Sequence, residues 1–163
     1  MNRIINVEKA AKISKKLKTE GKIIILAGGV FDILHIGHIK FLEAAKKRGD
    51  VLFVLLESDE NVKKIKGKDR PINSQTDRAL ILSALKFVDY VVILNEMKTN
   101  KDYDNLIIKI KPDIIATTKK SPQEIHNIRQ AKLVNAKVAL VINRISDKST
   151  TRLANIIKKE NNL

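Results

Sequence analysis

Hydrophobic positions along the chain follow two alternating patterns. Residues 23–27, 51–56, 90–94, 113–116 and 138–142 are short runs rich in Ile, Val and Leu, apolar at successive positions and therefore on both faces of any strand they form. That is how strands buried inside a parallel sheet read. Between them the period becomes helical, over residues 39–48, 61–65, 76–85, 104–110 and 125–135, with a last helix at 151–159. In the third of these Ala79, Leu82 and Leu85 share one stripe. A further helix is predicted over residues 7–19, ahead of the first strand, with Gly21 as its stop signal. Strand alternating with helix at this spacing predicts an α/β fold, a parallel sheet flanked by helices on both faces. No repeat, low-complexity tract or linker breaks the pattern, so residues 1–163 are expected to form one domain, with 1–20 as an N-terminal helix and 22–160 as the α/β core. In such open sheets ligands sit beyond the carboxyl ends of the strands, where the strand order reverses. Function is expected in the loops there.

Composition narrows the chemistry. The 163 residues are 44% hydrophobic, enough for one real core and too short for two full domains. Thirty-two Lys and Arg face 18 Asp and Glu, a net charge of +14 that suits nucleic acid, an anionic surface or phosphorylated small molecules. Residues 1–100 hold 19 basic and 12 acidic residues and residues 101–163 hold 13 and 6, so each part carries +7 and no basic arm stands out as a nucleic-acid grip. With six aromatic residues and no Trp, base-stacking platforms are disfavoured too. The absence of Cys excludes disulfides, thiolate catalysis and Cys-based metal sites, and leaves three His for imidazole chemistry. No apolar run approaches the roughly 20 residues of a membrane span. The N-terminal segment lacks the apolar stretch of a secretory signal, and the protein is expected in the cytoplasm.

The first loop carries the strongest chemical signal. It reads Ala27-Gly28-Gly29-Val30-Phe31-Asp32-Ile33-Leu34-His35-Ile36-Gly37-His38 and leads into a helix. Two Gly permit close backbone approach to a phosphate, and the helix beginning near Gly37 turns its free N–H groups and positive dipole end toward the loop. His35 and His38, three apart across a Gly, can both reach a point in front of that helix end. There two imidazoles can donate to oxygens whose charge grows as a phosphoryl group is attacked, with no protein nucleophile required. Two other readings stay open: a zinc site, for which only Asp32 offers a nearby third ligand, and two partly buried His that merely cap the helix.

These residues resemble a known family. Gly29-Val30-Phe31-Asp32 followed by His35-Ile36-Gly37-His38 looks like the signature of the cytidylyltransferase-like nucleotidyltransferase superfamily, whose HxGH loop binds the triphosphate of ATP or CTP. The same HIGH letters occur in class I aminoacyl-tRNA synthetases, but the length excludes a whole synthetase and no KMSKS-type loop is present. The resemblance implies a Rossmann-like single domain, His35 and His38 as the catalytic pair, and nucleotide contacts from Gly28, Gly29, Val30, Phe31, Asp32 and Gly37. It also implies a homodimer.

After the second predicted strand, positions 63–70 carry five basic residues. A run like this is ordinarily a solvated loop, but beside a phosphate-binding loop it can hold a second anionic substrate against its repulsion from the nucleotide. Lys63, Lys66 and Arg70 are the candidates, joined by Arg78, whose plainer alternative is a surface salt bridge to Asp77 or Glu96. The stretch KGKDRPINSQTDR, from Lys66 to Arg78, is similar without a gap to the adenylyltransferase domain of bacterial heptose-phosphate kinase/adenylyltransferases. Near the end, Ser149, Thr150 and Thr151, flanked by Lys148 and Arg152, precede the last helix. Capping accounts for one hydroxyl; the resemblance makes the three a phosphate-contacting element, with Arg152 beside it.

One departure bears on the acceptor. Where heptose-type members carry a Gly-Gly-Asp-Tyr turn after the fourth predicted strand, this chain has Thr117-Thr118-Lys119-Lys120. Glycine freedom and an acidic side chain give way to β-branched residues and two cations, Lys119 and Lys120, which are further candidates for acceptor phosphate. The expected reaction is attack of an acceptor phosphate on the α-phosphorus of a nucleoside triphosphate, with ATP favoured over CTP, heptose 1-phosphate as a model acceptor, and Mg²⁺ riding on the triphosphate. A glycerol-3-phosphate cytidylyltransferase or an FAD synthetase-like enzyme would use the same loop. Outside enzymes, a nucleotide-binding regulator or an RNA-binding relative is the alternative.

Overall fold

The computed structural model describes residues 3–143. In chain order the elements are β1 (Ile4–Ile5), α1 (Val7–Thr19), β2 (Ile24–Gly29), α2 (Ile36–Lys46), β3 (Val51–Leu56), α3 (Asp59–Lys66), α4 (Gln75–Ser83), β4 (Tyr90–Ile93), α5 (Asn100–Ile110), β5 (Ile114–Lys119), α6 (Glu124–Val134) and β6 (Lys137–Asn143). The six strands form one sheet in the order β1-β4-β3-β2-β5-β6, every neighbouring pair parallel. The α/β architecture is as expected. The expected helix at 151–159 lies outside the described residues.

Two elements differ from the sequence reading. The two-residue β1, paired to β4 through Ile4↔Val91 and Ile5↔Val92, precedes the N-terminal helix; two residues are too few to show a period. The segment read as a turn at 117–120 is strand as far as Lys119. There Thr117 pairs with Leu140 and Thr118 with Ile142, a register shift that skips one residue of the edge strand β6. The β-branched pair suits a pleated strand, and the turn itself falls on Lys120, at φ 60°.

Alternation along the strands sorts side chains between two cores. Ile25 and Ala27 of β2 with Leu52, Val54 and Leu56 of β3 face α2 and α4, which contribute Phe41, Leu42, Ala45, Ala79 and Leu82. Ile24, Leu26, Phe53 and Leu55 face α1, α5 and α6, which contribute Ala10, Leu106, Ile107, Ile110 and Ala131. Each fully buried Leu or Ile removes enough apolar surface from water to stabilise the fold by about 1.5–3 kcal/mol. Among the described residues no helix is long and apolar enough to cross a membrane.

This topology sets where a ligand can sit. From β2 the chain steps outward to β3 and β4, and α5 then carries it back past β3 and β2 to β5, beside which β6 follows. The order therefore reverses between β2 and β5, and a crevice opens over their carboxyl ends.

Candidate functional site

Gly28 and Gly29 end β2 at that crevice. Gly28 is exposed, and a Cβ built on it would meet only the Leu55 Cβ at 3.7 Å, an ordinary contact. Nothing in the fold requires glycine there, so its bare backbone is free for a ligand. Gly29 has a different reason: a Cβ would lie 2.8 Å from the Phe31 ring, which folds back over it. Phe31 does so from a left-handed backbone, φ 47°, and is itself buried.

His35 is the N-cap of α2, and its Nδ1 accepts the Gly37 N–H at 3.1 Å. With Nδ1 accepting, the ring proton sits on Nε2. The His38 ring stacks on His35 with centroids 3.8 Å apart and meets Phe31 edge-on at 5.2 Å. Its Nδ1 is enclosed and has no hydrogen-bond partner among the described residues. Burial, reinforced by His35 and by the Lys66 ammonium, lowers the His38 pKa to about 4, and burial lowers that of His35 as well. Two stacked neutral imidazoles therefore face the helix end near pH 7. Capping explains His35 and leaves His38 unexplained. As for zinc, among the described residues no three His, Asp or Glu side chains assemble to hold a metal ion.

Asp32 and Arg70 take structural positions. The Asp32 side chain is fully enclosed: Oδ1 accepts the Ile72 and Asn73 N–H groups at 2.8 and 2.9 Å, and Oδ2 accepts from Arg70 Nε at 2.6 Å. Burial raises its pKa, but the amides of Asn73 and Ile72 and the Arg70 guanidinium outweigh burial and hold it below the usual carboxylate range. Asn73 Nδ2 closes the arrangement on the Asp32 carbonyl at 2.6 Å. The Asp32 carboxylate is enclosed and the Phe31 ring is buried, so both side chains fix the loop's shape, and the nucleotide contact expected at these two positions is left to their backbone. Arg70 NH2 lies 2.5 Å from the same Asp32 oxygen, so the enclosed guanidinium is committed to that carboxylate.

Arg78 departs further from expectation. Its side chain is fully buried and binds three backbone carbonyls and Asp59, where the sequence suggested an acceptor phosphate or a surface salt bridge to Asp77 or Glu96. NH1 donates to the Val30 carbonyl at 2.6 Å, Nε to the Asn73 carbonyl at 3.1 Å, and NH2 to the Glu57 carbonyl at 2.9 Å and Asp59 at 2.7 Å. A planar fork with five donors suits a task in which three loops must be tied at one point.

Lys63 and Lys66 are exposed on α3, and Lys66 is near enough to His38 to influence its titration. Their neighbour Lys64 is paired with Glu96 at 2.5 Å. Lys119 and Lys120 are exposed at the end of β5, while Thr117 is buried. Ser149, Thr150, Thr151 and Arg152 lie outside the described residues. Sequence reasoning passed over one group: Glu57 beyond β3, Asn61 on α3 and Tyr103 on α5, joined by hydrogen bonds of 3.0–3.1 Å. A carboxylate directly after six apolar strand residues was the available signal.

Comparison with known proteins agrees with this geometry. A family model described as cytidylyltransferase-like matches residues 26–162. The chain is 40% identical over 160 residues to a "Bifunctional protein HldE" of Campylobacter fetus, covering 96% of this chain and 31% of that protein. A protein of the same name from Nitratiruptor is 51% identical over 112 residues, 69% of this chain and 23% of its own length. The chain thus spans less than a third of these curated relatives. Among solved structures, a lipopolysaccharide core biosynthesis protein from Thermoplasma volcanium superposes with a TM-score of 0.59 at 36% identity, over 79% of this chain and all of the other. A pantoate-beta-alanine ligase from Francisella tularensis, 19% identical, has a TM-score of 0.61 over 97% of this chain and 78% of its own, a likeness of fold.

Proposed function

The chain belongs to the cytidylyltransferase-like family, and on that premise we propose that it transfers a nucleoside monophosphate, AMP from ATP, to a phosphorylated small molecule of the heptose 1-phosphate kind. An acceptor phosphate oxygen forms a bond to the α-phosphorus, the bond from the α-phosphorus to the α–β bridging oxygen breaks, and pyrophosphate leaves. The observation that carries the reading is the stacked His35–His38 pair at the N-terminus of α2, beside the open backbone of Gly28. His35 Nε2–H and His38 donate to triphosphate oxygens, and the α2 N–H groups with Gly28 and Gly29 complete the cradle. Val30, Phe31, Asp32 and Arg78 hold that cradle in shape, and Gly37 gives the His35 ring its tautomer. Lys63 and Lys66 neutralise the acceptor phosphate so that it can approach a polyanion, while Arg70, expected beside them, is held against Asp32. Ser149, Thr150, Thr151 and Arg152 are assigned to the nucleotide by family resemblance. Mg²⁺ arrives with the triphosphate as part of the substrate, and Asp32 and Asp59 are already engaged by guanidinium groups.

The Thr117–Lys120 segment bears on the acceptor. A buried Thr117 and a bulged strand occupy the place where relatives of the heptose type are glycine-rich, which favours an acceptor that differs from the standard one or is held differently, with Lys119 and Lys120 as added phosphate contacts. The test is pyrophosphate release from ATP and CTP with heptose 1-phosphate, glycerol 3-phosphate and FMN as acceptors. His35→Ala or His38→Ala should cut turnover by about 10² or more with the fold intact, as for loss of one preorganised donor. Near-normal turnover in either variant overturns the assignment.

A further inference from the structure

Most acids at the carboxyl edge of the sheet are neutralised. Asp32 is sealed against Arg70, and Asp59 is paired with Arg78. Glu57 is different. Its backbone is anchored on both sides, N–H to the Gly29 carbonyl at 3.2 Å and carbonyl to Arg78 NH2 at 2.9 Å, so the residue is fixed beside the end of β2. Alternation along β3 puts its side chain on the Leu55 face, and Leu55 is the residue bordering the space left open by Gly28.

Its side-chain partners, among the described residues, are neutral donors. The Tyr103 hydroxyl lies 3.0 and 3.1 Å from the two carboxylate oxygens, and Asn61 Nδ2 lies 3.0 Å from one of them and from the tyrosine oxygen. One hydroxyl hydrogen and one amide hydrogen fill two of about four lone-pair positions of a carboxylate. Asn61, 3% exposed, keeps an Oδ1 with no donor among the described residues on the wall of the same cluster. A half-buried carboxylate, oriented by a tyrosine and an amide and left with acceptor capacity, sits at the foot of the helix that carries Lys63 and Lys66. Lys66 is at the far end of α3, about 10 Å along the axis at ~1.5 Å per residue.

We propose that Glu57, oriented by Tyr103 and Asn61, accepts hydrogen bonds from hydroxyl groups of the acceptor and so selects polyhydroxylated phosphates over bare ones. This rests on the placement of the acceptor in Proposed function and adds to it a polar end opposite the lysines. The division of labour follows from charge: cations take the phosphate, a carboxylate repels phosphate and takes hydroxyls, and an acceptor bound in reverse has both ends mismatched.

The experiment compares binding of heptose 1-phosphate, inorganic phosphate and ATP by calorimetry, in wild type, Glu57→Gln and Tyr103→Phe, with thermal unfolding alongside. Wild type should bind the sugar phosphate at least about ten-fold more tightly than inorganic phosphate, the worth of one or two hydrogen bonds to a charged group. In Glu57→Gln that preference should fall toward unity while inorganic phosphate affinity is kept. Tyr103→Phe, which leaves the carboxylate but removes the donor orienting it, should lower the preference in part. A wild type with no preference, or a preference unchanged in Glu57→Gln, overturns the proposal and leaves the nucleotidyltransferase reading standing. Failure of the wild type to bind ATP or either phosphate overturns that reading, and this one with it.

Discussion

Replacing His38 by Gln should flatten the acid side of the protein's stability profile. Burial, His35 and Lys66 bring the His38 pKa from 6.5 to about 4, so the native state refuses a proton that the unfolded chain accepts. Between these two values the unfolded state binds more protons, and stability must fall as the pH falls. The contribution is fully present above about pH 6.5, is lost on the way down to about 4, and does not change below that. Each pH unit crossed between those limits removes about 1.4 kcal/mol, so the loss is about 3 kcal/mol at most. His35, lowered by burial in the same direction, adds to it. The measurement is urea unfolding at fixed ionic strength at several pH values from 7 to 4, wild type against His38→Gln, with the difference between the two curves isolating this side chain. Wild type should lose up to about 3 kcal/mol more than the variant over that range. Parallel curves, or an NMR titration of the His38 ring with its midpoint near 6.5, would refute the reasoning that enclosure and the stacked partner keep it neutral.

Three further substitutions separate scaffold from site. Gly28→Ala should leave the unfolding temperature unchanged, since its Cβ meets only an ordinary contact, yet weaken ATP binding about ten-fold or more in calorimetry. Gly29→Ala forces the Phe31 ring to move and should cost about 1–3 kcal/mol in urea unfolding. Asp32→Asn leaves Arg70 enclosed without its counter-charge and should destabilise by about 3 kcal/mol or more, with ATP binding lost in parallel because the loop from 70 to 73 loses its anchor.

Much of this architecture was legible because the strands here are apolar on both faces and the helices are not. That contrast identifies a parallel sheet without any knowledge of its neighbours, and the Gly28-Gly29 to His38 segment could be placed at the edge of such a sheet. The sequence did not disclose the side-chain partners. Asp32 and Phe31 read as residues of a ligand loop and Arg78 as a cation on the following helix, and each is buried because a residue roughly 40–50 positions away in the chain supplies its partner or because the backbone turns left-handed at one point. Nothing local predicts such pairings. Likewise, Thr117 and Thr118 gave no sign that their strand would run on to Lys119, because its length is decided by pairing with β6, where one residue is skipped.

The same burial explains why so basic a chain needs acids at its site. Lysines close together repel one another, and the segment from 63 to 70 would spread if charge alone governed it. Asp32 draws the Arg70–Asn73 segment down onto the first loop, and Arg78 ties the carbonyls of Val30, Glu57 and Asn73 to one guanidinium. Each enclosed ion pair is a poor source of stability against an apolar substitute, but its geometry is directional where an apolar contact is not. The result is a division between fixed and free charge: enclosed pairs set the positions of three loops, and exposed Lys63 and Lys66 are left without a partner among the described residues, ready for an anion. Arg78→Lys, which keeps the charge and loses the fork, tests that division. Lysine cannot span carbonyls on three segments, so the variant should unfold about 2–4 kcal/mol more easily and lose ATP and acceptor binding together, whereas Lys63→Ala should weaken the acceptor alone at unchanged stability. If Arg78→Lys instead kept its stability and lost only acceptor affinity, the guanidinium would be a ligand after all and the scaffold would lie elsewhere.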